Sequence, residues 1–286
     1  MSLLYIFAIN LQFKFYLVKK IILYLLFLTP FCAFSQSSEK KETRKERIAK
    51  DNARVKKMQA EAEKGAIIFN KQSALTISLR SDGYALGYEH GKYKKIDKTN
   101  LWWFQFGERK HTKEEKLVQE FAGFQVGNPY IYGKINNFYF LNIGFGQQKL
   151  LGGKSSKNGI AVSATYGGGL TLGMLKPYYL EVLSRTPGQT EEIRYSDDNI
   201  GRYLSTDSIV GSAGFGKGFG EIKYVPGVFA KGAIRFDYGK FNDIVSALEI
   251  GLSAEYYTQK MPILLLNKEK TFFITGYVSL IFGSRK

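Results

Sequence analysis

The residues able to do chemistry in this chain are charged side chains set at even intervals within apolar runs. Lys231, Arg235 and Asp237 interleave with Val228, Ala230, Ile234, Phe236 and Tyr238. Glu249 and Glu255 interleave with Leu248, Ile250, Leu252, Ala254 and Tyr256, and Arg80, Glu89 and Glu181 take comparable places in other runs. Successive side chains on a strand point to opposite faces, so each run has one oily side and one polar side. Both signs of charge are present. Turned together toward an enclosed interior, these groups would neutralise one another through charge-assisted hydrogen bonds. The expected chemistry is a structural plug, not turnover.

Motifs for turnover stop short. Gly211-x4-Gly216-Lys217 has Gly218 where a phosphate loop needs a Ser or Thr for magnesium. Gly153-Lys154-Ser155 supplies the hydroxyl, but Gln148 stands where the first glycine belongs. A serine hydrolase needs a histidine and an acid beside the nucleophile. The two histidines are His90 and His111; Glu89 adjoins His90 but points to the other face of a strand. No transition-metal cluster is recognisable, and no catalytic, cofactor or metal residues are expected.

These charges need long strands to position them. Three runs near the end, 228–238, 246–257 and 272–282, alternate strictly, the last with Phe272, Ile274, Val278, Leu280 and Phe282 opposite Thr275, Tyr277 and Ser279. Strands of soluble sandwiches are usually about 5–6 residues. Runs of about 9–11 residues, aromatic at their ends, fit strands with lipid on one face and a polar lumen on the other. The fold expected is all-β, a closed antiparallel transmembrane β-barrel of eight strands, ten being the alternative count. Composition agrees: 286 residues carry 19 Tyr, 22 Phe and 30 Gly, but 6 Pro and a single Cys, with a net charge of +16. The overall hydropathy is slightly negative, which excludes a multi-span helical protein.

The alternation starts at Ser73, with Leu75, Ile77 and Leu79 on one face. After Ser81-Asp82-Gly83 the apolar face resumes one parity later at Tyr84, Leu86 and Tyr88. A one-residue bulge produces that slip, and a tight hairpin is the other reading. Counted as bulged, 73–93 is the first strand; 101–108, 137–147, 160–166 and 170–183 follow, with Gly167-Gly168-Gly169 as a turn and a kink at Pro177. Trp102 and Trp103 suit an interfacial belt. Residues 111–135 make a poor strand, with a short helix expected to start at 112–115, and 184–226 form a long loop with little continuous pattern. On this count 92–100, 150–159, 184–227 and 258–270 lie outside, which leaves 111–136 as an awkwardly long inward connection.

Lys19 and Lys20, the apolar run 21–28 and Ala33-Phe34-Ser35 have the order of a secretory signal, expected to span 1–35. The charged extension 36–72 follows. Within 38–64 there are ten Lys or Arg and six Asp or Glu, with no Pro or Gly. A periplasmic helix is expected there, with a thin partner-facing seam of Ile48, Val55, Met58 and Ala62. Its net charge permits contact with anionic lipid head groups. Export and the lack of a base-reading motif argue against nucleic acid.

Five segments carry a family resemblance: Arg80-Ser81-Asp82-Gly83-Tyr84, Leu86-Gly87-Tyr88-Glu89-His90-Gly91, Tyr132-Gly133-Lys134-Ile135-Asn136-Asn137-Phe138-Tyr139, Leu175-Lys176-Pro177-Tyr178-Tyr179 and Glu255-Tyr256-Tyr257. With the signal ending, these resemble a family of small outer-membrane barrels of Bacteroidota, over 65–286. The resemblance implies an outer-membrane location, no transferable catalytic residue, and outer-membrane lipid and other outer-membrane or periplasmic proteins as partners. It also implies a non-catalytic structural or docking subunit, with the barrel-assembly machinery as the leading complex. A lipid-modifying or lipid-binding barrel is the alternative, and a small diffusion pore ranks third.

Overall fold

The computed structural model describes residues 70–286 apart from 96, 122–123, 155–158, 187 and 240–243, together with Asn52. Apart from Asn52, the expected signal, the charged helix and its seam of Ile48, Val55, Met58 and Ala62 lie outside the described residues.

Eight long antiparallel strands close into a barrel: β1 (Lys71–Arg80), β2 (Gly83–Lys95), β3 (Lys98–Arg109), β6 (Asn136–Gly152), β7 (Ala161–Pro177), β11 (Lys223–Asp237), β12 (Ile244–Met261) and β13 (Lys270–Arg285). The ring is sealed by β1 against β13, in register from Gln72↔Arg285 to Arg80↔Tyr277. Closure leaves no barrel strand with a free edge. The polarity is inverted relative to a soluble core. Leu75, Leu79, Phe145, Leu170, Leu252 and Ile274 stand exposed on the wall, while Ser78, Glu89, Arg235, Glu249, Glu255 and Thr275 are buried inside. That is the pattern of a transmembrane barrel.

Eight strands is the count read from the sequence, although two of its elements differ. Residues 81–82 are a two-residue hairpin joining β1 to β2, with Arg80 paired to Gly83. A bulge and a two-residue turn shift the face by the same single residue, so parity alone cannot separate them. Gly167-Gly168-Gly169, in contrast, runs straight through β7, paired to Gly146, Phe145 and Gly144 on one side and to Lys231, Ala230 and Phe229 on the other. One strand gained and one lost leave the total unchanged and reassign the connections. The β2–β3 and β6–β7 junctions, at Lys95/Lys98 and Gly152/Ala161, now lie at the end holding Lys71 and Arg285. Residues 110–135 join 178–222 and 262–269 at the opposite end, so the awkward inward connection disappears.

That opposite end is capped. Residues 110–135 form no helix at 112–115 but fold into a hairpin, β4 (Lys116–Phe121) with β5 (Phe124–Ile131). The expected strand 170–183 is split at Pro177, its end becoming β8 (Tyr179–Leu183), and the region expected to lack pattern contains β9 (Thr190–Arg194), α1 (Ile200–Leu204) and β10 (Ile209–Ser212), with β8 central in a three-stranded sheet. These strands are too short to show convincing alternation. Packing decides them: Tyr130, Leu180, Val182, Ile193, Tyr203 and Ile209 make a separate apolar core. Gly127 and Gly211 let β5 and β10 touch backbone to backbone, since a Cβ on either would strike Val210 or Asn128.

The cap is pinned to the barrel rim. The Ile135 amide donates to Ile263 (2.9 Å), and the Leu265 amide to Gly133 (2.7 Å). Tyr203 donates its hydroxyl to the carbonyls of Lys134 and, at 3.2 Å, Tyr178. Burial, followed by the neighbouring Tyr178, holds the Tyr203 phenol above its ordinary range, so it remains a donor. Lys134 and Glu114 pair at 2.8 Å, both nearly inaccessible. Glu114→Ala leaves that ammonium buried without its partner. We expect limited proteolysis to cut within the cap of this variant while the barrel keeps its heat-modifiable gel mobility. Loss of that mobility would show that cap and barrel do not separate.

Candidate functional site: a sealed lumen beneath a folded cap

The lumen charges form three groups along the barrel. Nearest the cap, Glu255 accepts from Arg80 (2.8 Å), Arg109 (2.9 Å) and the Tyr257 hydroxyl (2.9 Å). Asp82 in the β1–β2 turn accepts from Arg80 at 3.1 Å, Thr275 at 2.9 Å and Arg109. Burial raises the Asp82 carboxyl's pKa, but Arg109 and Arg80 together bring it below the usual carboxylate range. The Arg109 guanidinium lies 4.3 Å from the Phe273 ring centre, and that of Arg80 lies 4.5 Å from Phe140. Aromatic faces thus complete the surroundings of both cations.

Midway, Arg235 is clamped between two carboxylates, donating to Glu89 at 2.7 Å and to Glu249 at 2.6 and 2.9 Å. Tyr277 donates to Glu249 (3.0 Å) and Gln72 to Glu89 (3.2 Å). Lys231 stands 3.9 Å from Glu249 and lies 4.0 Å from the Trp103 ring centre. At the Lys71/Arg285 end, Asp237 pairs with Arg285 and with Lys154 at 3.4 Å.

Seven of the eight sequence-predicted groups therefore meet inside: Arg80, Glu89, Lys231, Arg235, Asp237, Glu249 and Glu255. Glu181 does not. It belongs to β8 in the cap, where Thr190 donates to it at 2.7 Å, because the chain leaves the barrel at Pro177. Four members were missed: Asp82, Arg109, Lys154 and Arg285. Arg109 and Arg285 continue the inward parity of β3 and β13 just beyond the strand ends read from alternation. Asp82 was hidden in the bulge reading. Lys154 enters from a loop, where periodicity carries no information.

Trp102 faces outward, as a belt residue should, whereas Trp103 is buried in the lumen. The indole of Trp103 fits because its surroundings are glycine. A Cβ on Gly144 would come 2.8 Å from its Nε1, and one on Gly167 would come 2.7 Å from its ring edge. Phe229 packs against it at 6.4 Å between ring centres. A lumen cavity lined by Trp103, Lys231, Glu249 and Tyr277 holds about 20 Å³, close to one water. In planar bilayers the folded protein should show no steady ohmic conductance; regular open-channel steps would mean that the charge groups part.

The remaining motifs find other roles. Gly211 lies in β10, and Lys217 pairs with Glu192 at 2.7 Å. Ser73 and His90 do meet, Oγ to Nδ1 at 3.0 Å, on the barrel wall beside Trp102. Glu89 points into the lumen from the same strand and cannot orient that histidine. The surrounding backbone amides belong to the barrel ladder, leaving no donor pair for an oxyanion.

No protein-family model matches the chain, and no curated protein does. Among solved structures, neisserial surface protein A is similar at 9% identity and a TM-score of 0.36, over 76% of this chain and 96% of that one. Ail, the attachment invasion locus protein of Yersinia pestis, is similar at 10% identity and 0.30, over 76% and 95%. The N-terminal β-barrel domain of Pseudomonas aeruginosa OprF is similar at 7% identity and 0.31, over 75% and 98%. These are likenesses at low identity and low score; the eight-strand closure rests on the strand pairing itself.

Proposed function

We propose that this protein is a non-catalytic outer-membrane barrel that serves as a structural or docking subunit of a membrane complex. The carrying observation is the folded cap, which closes one end of a plugged barrel and exposes apolar side chains. Phe124 and Leu266 are 76% and 84% exposed, and Leu183 on β8 is exposed as well. Leu266 also adopts a positive φ of 62°, a conformation a branched side chain rarely takes. A plugged lumen gives solutes no path, so the surface is what remains to act.

The exposed apolar wall supports residence in a bilayer, where only closed barrels and helices satisfy their backbone. Long connections of such barrels face outward and short ones the periplasm. That rule puts the cap outside the cell and the Lys71/Arg285 end, with the charged extension before it, in the periplasm. The resemblance to small Bacteroidota barrels makes the barrel-assembly machinery the first complex to search. Crosslinking in intact cells, gentle extraction and mass spectrometry test the reading. We expect stoichiometric partners joined to cap lysines; recovery of a lone monomer would overturn it.

A lipid-binding role has its own support, a basic cavity on the outer wall.

A further inference from the structure

Where the cap overhangs the outer wall there is a cavity of about 220 Å³. Five ammonium groups line it, Lys110, Lys116, Lys134, Lys176 and Lys217, against one lining carboxylate, Glu108. Two of the five are already paired, Lys134 with Glu114 and Lys217 with Glu192. Glu108 accepts from the Tyr84 hydroxyl, which leaves its charge in place, so Lys110, Lys116 and Lys176 outnumber it by two. Positive charge is left over.

Lys176 is the decisive group. It is 1% exposed, yet no carboxylate pairs with it among the described residues. Its Nζ donates to the Phe215 carbonyl at 2.6 Å and lies 4.2 Å from the ring centres of both Phe215 and Phe219. An ammonium has three donors, and that carbonyl takes one. Glu108 acts on it through the cavity without pairing directly, and two ring faces and one carbonyl cover the ammonium, which leaves two of its N–H donors for an anion entering the cavity.

The register sets this cavity relative to the bilayer. Lys176 pairs with Asn137 on the outward face of β6, and the next outward pair is Met174 with Tyr139. Tyr139 stacks on Phe106, 6.1 Å between ring centres and 9° from parallel. Two residues of strand span about 7 Å, so the ammonium sits just above the apolar wall. Phe215 is 71% exposed at the cavity mouth. An anion here can be carried on a molecule whose tails lie along Phe106, Tyr139 and Leu172.

We infer that this cavity binds the phosphate of a membrane lipid, with Lys110, Lys116 and Lys176 as its cationic contacts and the wall beneath receiving the acyl chains. Lysines are common phosphate partners, and each adds to attraction at an anionic surface. The inference rests on the barrel being in a membrane, but not on its protein partners.

Native mass spectrometry of the full chain in detergent tests it, with diphosphorylated lipid A, enzymatically dephosphorylated lipid A and inorganic phosphate as probes. Phosphorylated lipid A should be retained roughly tenfold better than the dephosphorylated form. The double variant Lys110→Gln/Lys116→Gln changes two exposed side chains, so it should fold, and should lose about tenfold in retention. Lys176→Met should lose at least as much. Equal retention of the two lipids, or no loss in the double variant, overturns the site. Displacement of the lipid by millimolar inorganic phosphate overturns the lipid assignment in favour of a free anion. Heat-modifiable mobility, followed in parallel, separates failure of the site from failure of the membrane-barrel reading.

Discussion

Arg235→Leu should destabilise the barrel by about 3–5 kcal/mol, the usual cost of removing one member of a buried ion group. Arg235 is 1% exposed and holds Glu89 and Glu249 at once. Without it, two carboxylates face each other in a sealed lumen, and the remaining cation, Lys231, lies 3.9 Å from Glu249 alone. Urea unfolding in lipid vesicles, followed by tryptophan fluorescence from Trp102 and Trp103, measures the loss. The triple variant Arg235→Leu/Glu89→Gln/Glu249→Gln should recover at least half of it, because neutral amides in the same space carry no stranded charge. Equal losses in the single and triple variants would mean that the arginine acts by filling volume, not by compensating charge.

Gly167→Val should prevent barrel closure, with an expected complete loss of the heat-modifiable folded band. A Cβ at this position would strike the Phe145 carbonyl oxygen and the Gly146 Cα as well as the edge of Trp103. Side chains can turn aside, but a backbone carbonyl engaged in the β6–β7 ladder cannot, so the neighbouring strand must move. Gly232 is the control. A Cβ there meets nothing within 4 Å, and Gly232→Ala should be neutral or stabilising by about 0.5–1 kcal/mol through reduced chain entropy. If both substitutions were tolerated alike, β7 would be free to retreat from Trp103, and glycine would not be setting the lumen's width.

Both expectations concern the inside of the barrel, and the sequence displayed that inside unevenly. Alternation through 228–238, 246–257 and 272–282 sorted side chains correctly because a strand has a period of two, and one polar residue per step leaves no other face for charge. Arg80, Glu89, Lys231, Arg235, Asp237, Glu249 and Glu255 were legible for that reason. Glu181 was misplaced because its parity is that of an inward residue, and parity says nothing about where a barrel ends. The exit at Pro177 depends on what the following residues pack against.

The chain's own pattern thus determined an inverted all-β wall and a charged interior, while its count of eight strands held because the strand missed at 81–82 offset the one added at 167–169. Two-residue steps record which face a side chain takes, and little else. Only the tertiary structure decided that 81–82 turn the chain around and that three successive glycines stay within β7. Hydrogen-bond partners resolve the first, and the bulk of Trp103 across the lumen explains the second. The cap strands and the lysine cavity were equally invisible, because β4, β5, β8, β9 and β10 gain their surroundings from segments distant along the chain, and Lys110, Lys176 and Lys217 meet only when those segments fold over one rim.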